Sequence, residues 1–507
     1  MPKLSPQQVD MELQAAIRAH RNGQWDEAER MYRMILTDMP GHAECWHLLG
    51  LVALQTDRAG HAIDLIGTAL RLAPENPTYL SNRGEAYRRL GQLNLAKADL
   101  QMALQIAPNS AAALNNLGLT LNGLGDKAGA RKCFAQAVRL KPGYVEAINN
   151  LGLVLRDLGE TLEAIQRFRD ALIYNPDYAP ARTNLGAALE AAGRHGEAEA
   201  QYRKNWRESA LDREAGMALG NLLAGSGRTE EALEVYVRLS DSWPNDADVV
   251  HNLASAKSRL GSYAEARALY RRSIELRPEF AEAHRNFGHL LLQLGEYADG
   301  WRHYAWRWKC KEFAHRQRPF EWPTWDGSAL RDGTLLIWSE QGLGDEILFL
   351  GMATDLMSRG LRLAWEIDAR LIPLLARSFP TIRFVPRSTP AAPVLDELEI
   401  AAQIPSGQLG TFLRTAPLDF PHRAAGYLSA DPEKRAALRA RLLAGGPRDR
   451  LIVGISWSSK NAPNSRHKST SLADWRPILS APGVVFVDLQ YGDTLAERAA
   501  AGAELVH

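Results

Sequence analysis

Cysteine is scarce: only Cys45, Cys133 and Cys310 occur in 507 residues, far apart and odd in number. That count and spacing exclude a disulfide framework and a cysteine-rich zinc site, and they fit a reducing compartment. No apolar run approaches the roughly 18 residues needed to cross a bilayer. The opening MPKLSPQQVDMELQAAIRAHR has no apolar core of a secretory signal. A cytoplasmic location with no membrane span is the expectation. Neither sign of charge prevails: the net charge is +1, which gives no global pull toward nucleic acid or an anionic membrane. The 13 histidines are scattered, and HxH and HExxH do not occur, so no metal site is expected. What is present is an ordinary globular composition, 46% apolar and 23% charged, in a chain too long for one core.

The chain repeats itself every 34 residues. Gly50, Gly84, Gly118, Gly152, Gly186 and Gly220 keep that step. So do Ala28, Ala62, Ala96, Ala130, Ala164, Ala198, Ala232 and Ala266. Pro40, Pro74, Pro108, Pro142, Pro176, Pro244 and Pro278 follow, with Ala210 as the one gap. If the glycine is position 8, alanine is position 20 and proline position 32. Small residues at 8 and 20 let two antiparallel helices approach closely, and proline marks the end of the second helix. With the opening WHLLG at Trp46–Gly50, this pattern is identified as the tetratricopeptide repeat. Eight full units start at 9, 43, 77, 111, 145, 179, 213 and 247, and a divergent ninth starts at 281. The resemblance implies an α-solenoid with a groove.

Position 6 holds Asn82, Asn116, Asn150, Asn184, Asn252 and Asn286, lapsing at Leu48 and Ala218. At about 100° per residue this position points away from the centre of the apolar face. Amides are mediocre helix formers, so their regularity asks for a reason. In tetratricopeptide arrays the first helix of each pair lines the concave surface. The row then resembles the asparagine ladder in the repeat arm of O-linked N-acetylglucosamine transferases, which implies an acceptor polypeptide held by its backbone. The plainer alternative is asparagine tolerated on a solvated face.

After GWRHYAWRWKCKEF (300–313), read as a capping helix that packs its aromatics on the next domain, the period changes. Strands TLLIWSE, LRLAWEID and TIRFVP alternate with helices EILFLGMATDLMSRG and RLIPLLARSF. A polar helix at 431–446 follows, then strand LIVGISW, helix SLADWRPILS, strand VVFVDLQ, helix DTLAERAAAG and a final strand ELVH. Such alternation predicts parallel, Rossmann-like sheets. The expected domains are a solenoid at 1–314, a connector at 315–332, a first lobe at 333–430, a linker helix at 431–446 and the start of a second lobe at 447–507. LLIWSEQGLGDEILFLGMATDLMSRG and VGISWSSKNAPNSRHKSTSLADWRPIL resemble bacterial heptosyltransferase-like, two-lobed (GT-B) glycosyltransferase regions. Fusions of this kind include enzymes that decorate flagellins and other proteins. The resemblance implies transfer of a sugar from a nucleotide-sugar donor to Ser or Thr of an acceptor protein; with no metal-ligand cluster in the sequence, a cation-independent reaction without a cofactor is the expectation.

That resemblance makes Asp345 the catalytic base, at the end of a Gly-Leu-Gly-Asp turn in which Gly342 and Gly344 admit a ligand close to the backbone. Helix physics offers a second role for Asp345, capping the helix it opens. Glu340 and Glu346 are weaker acidic candidates. Ser456 and Ser458, with Lys468 seven residues before Trp475, match the donor-phosphate loop. A solvated basic loop is the alternative. The family's later donor segment, with an aspartate, a hydroxyl residue and a histidine, is not found before residue 507, so a fragment or a binding-only truncation is expected. A rival reading of the whole chain is an interaction scaffold with a degenerate α/β remnant.

Overall fold

The computed structural model describes residues 6–208, 212–340, 342–421, 426–444, 449–458, 469–502 and 505. The chain divides into two compact units, 1–222 and 223–507. Helical repeats run through the first unit and on into the second, and a small parallel sheet region follows them.

In the first unit, helices pair at the expected step, as in Ala111–Gly123 with Lys127–Leu140 and Val145–Asp157 with Thr161–Tyr174. The position-20 alanines from Ala28 to Ala198 are fully buried. The position-8 glycines are where the paired helices nearly touch. A Cβ on Gly118 would lie 2.6 Å from the Phe134 ring, and one on Gly152 would lie 2.6 Å from Phe168. Each second helix stops two residues short of its proline; Leu93–Ile106 is followed by Pro108. First helices of successive repeats touch one another, whereas second helices stand further apart, so the first helices line the inner side.

A further 34-residue series escaped the sequence reading. Gly91, Gly125, Gly159, Gly193, Gly227, Gly261 and Gly295 all have φ between +72° and +83°. They make the left-handed turn between the two helices of a repeat, which glycine adopts without steric cost. Asp57 takes that place in one repeat, with φ +58°.

The second unit carries the last repeats, Ala247–Arg259 with Tyr263–Leu276 and Ala281–Gln293 with Tyr297–Tyr304. Their end docks on the sheet region as expected. The Trp301 indole N–H donates to the Arg414 carbonyl at 2.8 Å, and the Trp308 and Trp338 rings lie 5.5 Å apart. Four parallel strands follow: β1 Thr334–Trp338, β2 Arg362–Ile367, β3 Arg383–Pro386 and β4 Ile400–Pro405, in the order β3-β2-β1-β4. β4 was not foreseen, because IAAQIP has neither a strong alternation nor a β-branched run. Helices Leu343–Leu350, Ala353–Ser358 and Ile372–Ser378 cover the face carrying Leu335 and Ile337. The connector residues Phe320 and Trp322 cover Leu336 on the other face. The single helix expected at 346–360 is two, interrupted at Gly351 and Met352. The linker helix spans Pro432–Leu442. β5 Leu451–Ile455 and β6 Val484–Asp488 form a separate parallel pair. The strand expected in ELVH lies outside the described residues except Leu505, which is buried. Among the described residues, no helix is long and apolar enough to cross a membrane.

Gly152→Ala forces its new methyl into the Phe168 ring inside a packed repeat. A loss of about 1–3 kcal/mol is expected, measured by urea denaturation; Gly60→Ala, whose Cβ meets no atom within 4 Å, is the control.

Candidate functional site

The position-6 amides are half-buried, and those of Asn82, Asn150, Asn184 and Asn286 reach the preceding repeat. The Asn150 Nδ2 donates to Asn115 Oδ1 at 3.0 Å, and the Asn184 Nδ2 donates to Asn149 Oδ1 at 2.9 Å. Asn82 and Asn286 reach histidines in the same way, the Nε2 of His47 at 2.8 Å and of His251 at 2.9 Å. Every partner lies 35 residues earlier, at position 5 of the preceding repeat. The amide row is therefore a set of braces between neighbouring repeats, and each brace uses one N–H of its asparagine. No such bond joins Asn116 to Ser81, the residue at its corresponding rung.

Burial pushes His47 and His251 down to about 4, so both are neutral acceptors at pH 7.

In the sheet region, Asp345 is half-buried in the first turn of Leu343–Leu350. The helix opens earlier than expected, with Gly342 as its N-cap, so Asp345 is its third residue and not the cap; its Oδ2 accepts the Gly342 N–H at 3.4 Å, as the third residue of a capping box does. Gly342 and Gly344 precede it beyond the carboxyl end of β1. Neither has positive φ. A Cβ on Gly344 would meet nothing within 4 Å, and one on Gly342 would meet only the Asp345 carboxylate, at 3.9 Å. The packing of the chain itself does not require glycine at either place.

Glu340 is taken by structure. Its Oε1 lies 2.8 Å from Arg307 Nη2, and both side chains are wholly buried. Glu346 is buried too; it accepts the Asp368 N–H at 3.0 Å and lies 3.2 Å from Arg387. Glu366, at the end of β2, pairs with Arg318. Sequence reading missed Glu366 because LAWEID looks like a strand with a chance acid. Burial raises both Glu346 and Glu366 above the usual carboxylate range. Beside them, Arg370 holds the Asp368 carboxyl well below that range. Among the described residues, no group of three or more His, Cys, Asp or Glu is placed to hold a metal.

After β5, the Ser456 hydroxyl donates to Gln490 Oε1 at 3.0 Å. The backbone N–H groups of Trp457 and Ser458 reach the same oxygen at 3.0 and 2.9 Å. Three donors thus converge on one oxygen, as they would on an anion. Gln490 had no signal in the sequence; it is one polar residue past a strand. Lys468 lies outside the described residues. Among the described residues, no hydrogen bond or ion pair joins Asp345 to Ser456 or Ser458.

Family profiles described as "Tetratricopeptide repeat" match residues 13–77, 76–143 and 149–205, and one described as "TPR repeat" matches 258–295. The helical array is built of tetratricopeptide repeats. A curated relative, "Protein FlbA" of Caulobacter vibrioides, is 38% identical over 198 residues, covering 36% of this chain. The chain spans about a third of that relative's length, 32%. Among solved structures, a tetratricopeptide repeat protein from Parabacteroides merdae is 18% identical over 49% of this chain and 98% of its own, with a TM-score of 0.40. A thermophilic one from Thermus thermophilus is 23% identical over 36% of this chain and 99% of its own, with a TM-score of 0.33.

The neutral histidines make tetratricopeptide bracing sensitive to acid. A histidine whose folded pKa is about 4, against an ordinary 6.5, contributes fully above pH 6.5, and the contribution is lost as pH falls toward 4. A loss of about 3 kcal/mol per histidine by pH 4 is expected. His47→Gln keeps an acceptor for Asn82 without the titration, so it flattens the stability–pH slope between 6.5 and 4 in denaturation curves.

Proposed function

We propose that this chain is a glycosyltransferase-type protein: its tetratricopeptide array holds an extended acceptor polypeptide, and its parallel sheet region transfers a sugar from a nucleotide donor to a serine or threonine. The observation that carries the reading is the pair Gly342 and Gly344. Folding does not require them, yet they stand just past the carboxyl end of β1 in a β3-β2-β1-β4 parallel sheet. That is where α/β sheets take nucleotides, and where absent side chains let a diphosphate approach the backbone. In the reaction, the acceptor hydroxyl oxygen attacks the anomeric carbon and its proton passes to the Asp345 carboxylate. The bond from that carbon to the diphosphate oxygen breaks, and the nucleoside diphosphate leaves with inversion. The donors that converge on Gln490 Oε1, with Lys468, would hold the diphosphate once Gln490 is displaced.

A second reading has its own observation. Asp345 and Ser456 already have partners within the chain, Gly342 and Gln490. On this reading the array is a protein-interaction scaffold and the sheet region its cap.

Asp345→Asn is expected to lower sugar transfer about 100-fold or more, with nucleotide binding by calorimetry unchanged. Transfer at the wild-type rate would defeat the catalytic assignment. Peptide capture without any nucleotide-sugar binding would establish the scaffold.

The amide row is tested separately. Asn116→Ala removes an amide that braces nothing, so it is expected to weaken binding of an extended Ser/Thr-rich peptide several-fold at unchanged stability. Asn150→Ala is expected to cost about 1 kcal/mol of stability as well. Fluorescence anisotropy and urea denaturation separate the two effects.

A further inference from the structure

We infer that the cleft between the 3₁₀ turn Ala305–Lys309 and the carboxyl ends of β1 and β4 is a binding site for a neutral pyranose ring. The inference goes beyond the proposed transfer reaction. Trp338 and Gln403 alternate with the residues that meet the helix Leu343–Leu350, so they project from the opposite face of the sheet to the Asp345 turn. The cleft encloses about 410 Å³, ample for a small ligand.

Its walls are aromatic. Trp308 and Trp338 stand 5.5 Å apart with their planes at 50°, and Trp325 meets Phe412 at 5.2 Å and 61°. Tilted pairs make corners, not parallel slots. A flat base slides into a slot; a puckered ring with axial C–H groups fits a corner and lays those groups on the indole faces.

The polar groups on the rim are uncharged amides and a hydroxyl: Gln317, Gln403, Gln408 and Thr324. Each amide offers both a donor and an acceptor, the mixture that sugar hydroxyls need. Internal bonds orient them. Gln403 Oε1 accepts the Trp338 indole N–H at 2.6 Å, and Gln408 Oε1 accepts from Arg307 at 3.3 Å. Each keeps an amide N–H on the weaker side, at 3.3 Å to Thr324 Oγ1 and 3.4 Å to Thr411 Oγ1. Among the described residues the one cation in the lining, Arg318, is neutralised by Glu366, and its buried Nε has no hydrogen-bond partner. No carboxylate lines the cleft among the described residues. A phosphate or a cationic group would find no opposite charge to meet it, whereas a neutral ring would lose nothing.

The cluster of aromatics in GWRHYAWRWKCKEF supplies one wall, so that motif both caps the repeats and shapes the cleft. A proline-rich peptide and a nucleobase are the competing occupants.

The test uses the full chain with glucose, N-acetylglucosamine, mannose and rhamnose as methyl pyranosides, and with adenosine and a polyproline peptide as competitors. Saturation-transfer NMR and tryptophan fluorescence are the readouts. At least one pyranoside is expected to bind at millimolar concentration. Gln317→Ala, an exposed residue whose loss leaves the fold intact, and Trp308→Phe are each expected to weaken that binding about tenfold. Asp345→Asn is expected to leave it unchanged, so failure here is separable from failure of the transfer reading. Binding of no pyranoside, equal binding by both cleft variants, or a response to adenosine or polyproline alone overturns the proposal.

Discussion

The second unit is organised around one buried ion pair. Arg307 comes from the turn that ends the repeats, and Glu340 from the segment leaving β1. The guanidinium is clasped from both sides, 4.4 Å from the Tyr304 ring centroid and 4.7 Å from that of Trp308. The Gln408 amide oxygen stands at 3.3 Å, and Gly407 lets Glu340 lie directly against its backbone. A buried pair of this kind adds little net stability over an apolar contact. Leaving one member alone in the interior costs about 3–5 kcal/mol. It therefore acts by specification: the end of the repeats has one seat on the sheet, and β1, β4 and the aromatic cleft are aligned by it. Trp301, seated on Gly410 and bonded to the Arg414 carbonyl, makes a second attachment of the same sense.

In the repeats the governing constraint is spacing, and it acts at three positions at once. Alanine at 20 and glycine at 8 let helices touch, and glycine at 15 lets the chain reverse between them. The amide at position 6 then bonds one repeat to the one before it. Such bonds are local to neighbours, so the array's stability is a sum of near-identical contacts. The repeat that starts at 179 lacks the proline, at residue 210, and the next repeat lacks the amide, at Ala218. The buried Arg182, bonded to Asn205 at 2.6 Å, replaces the usual apolar side chain in the repeat without the proline. A departure at one position is thus accompanied by departures at others.

The candidate sites were unevenly legible. The place of Asp345 at a helix start was visible in the sequence, because a glycine turn and the helix that follows it are both local. The asparagines were seen as a row, but their partners were not, since a partner 35 residues away is visible only once the repeats are stacked. Glu346 and Glu366 owe their raised proton affinity to burial on two different elements, which no window of sequence contains. Gln490 holds the loop after β5 from the end of β6, again across a sheet pairing.

The sequence by itself determined the repeat, its period, its helix ends and the change to alternating strands and helices. Those features come from backbone chemistry acting over one or two turns, and they recur often enough to be counted. Tertiary structure alone decided the strand order, the presence of β4 beside β1, the burial of the Arg307–Glu340 pair and the aromatic cleft. Each of these depends on which distant surfaces meet, and burial and pairing are properties of that meeting, not of any residue taken singly.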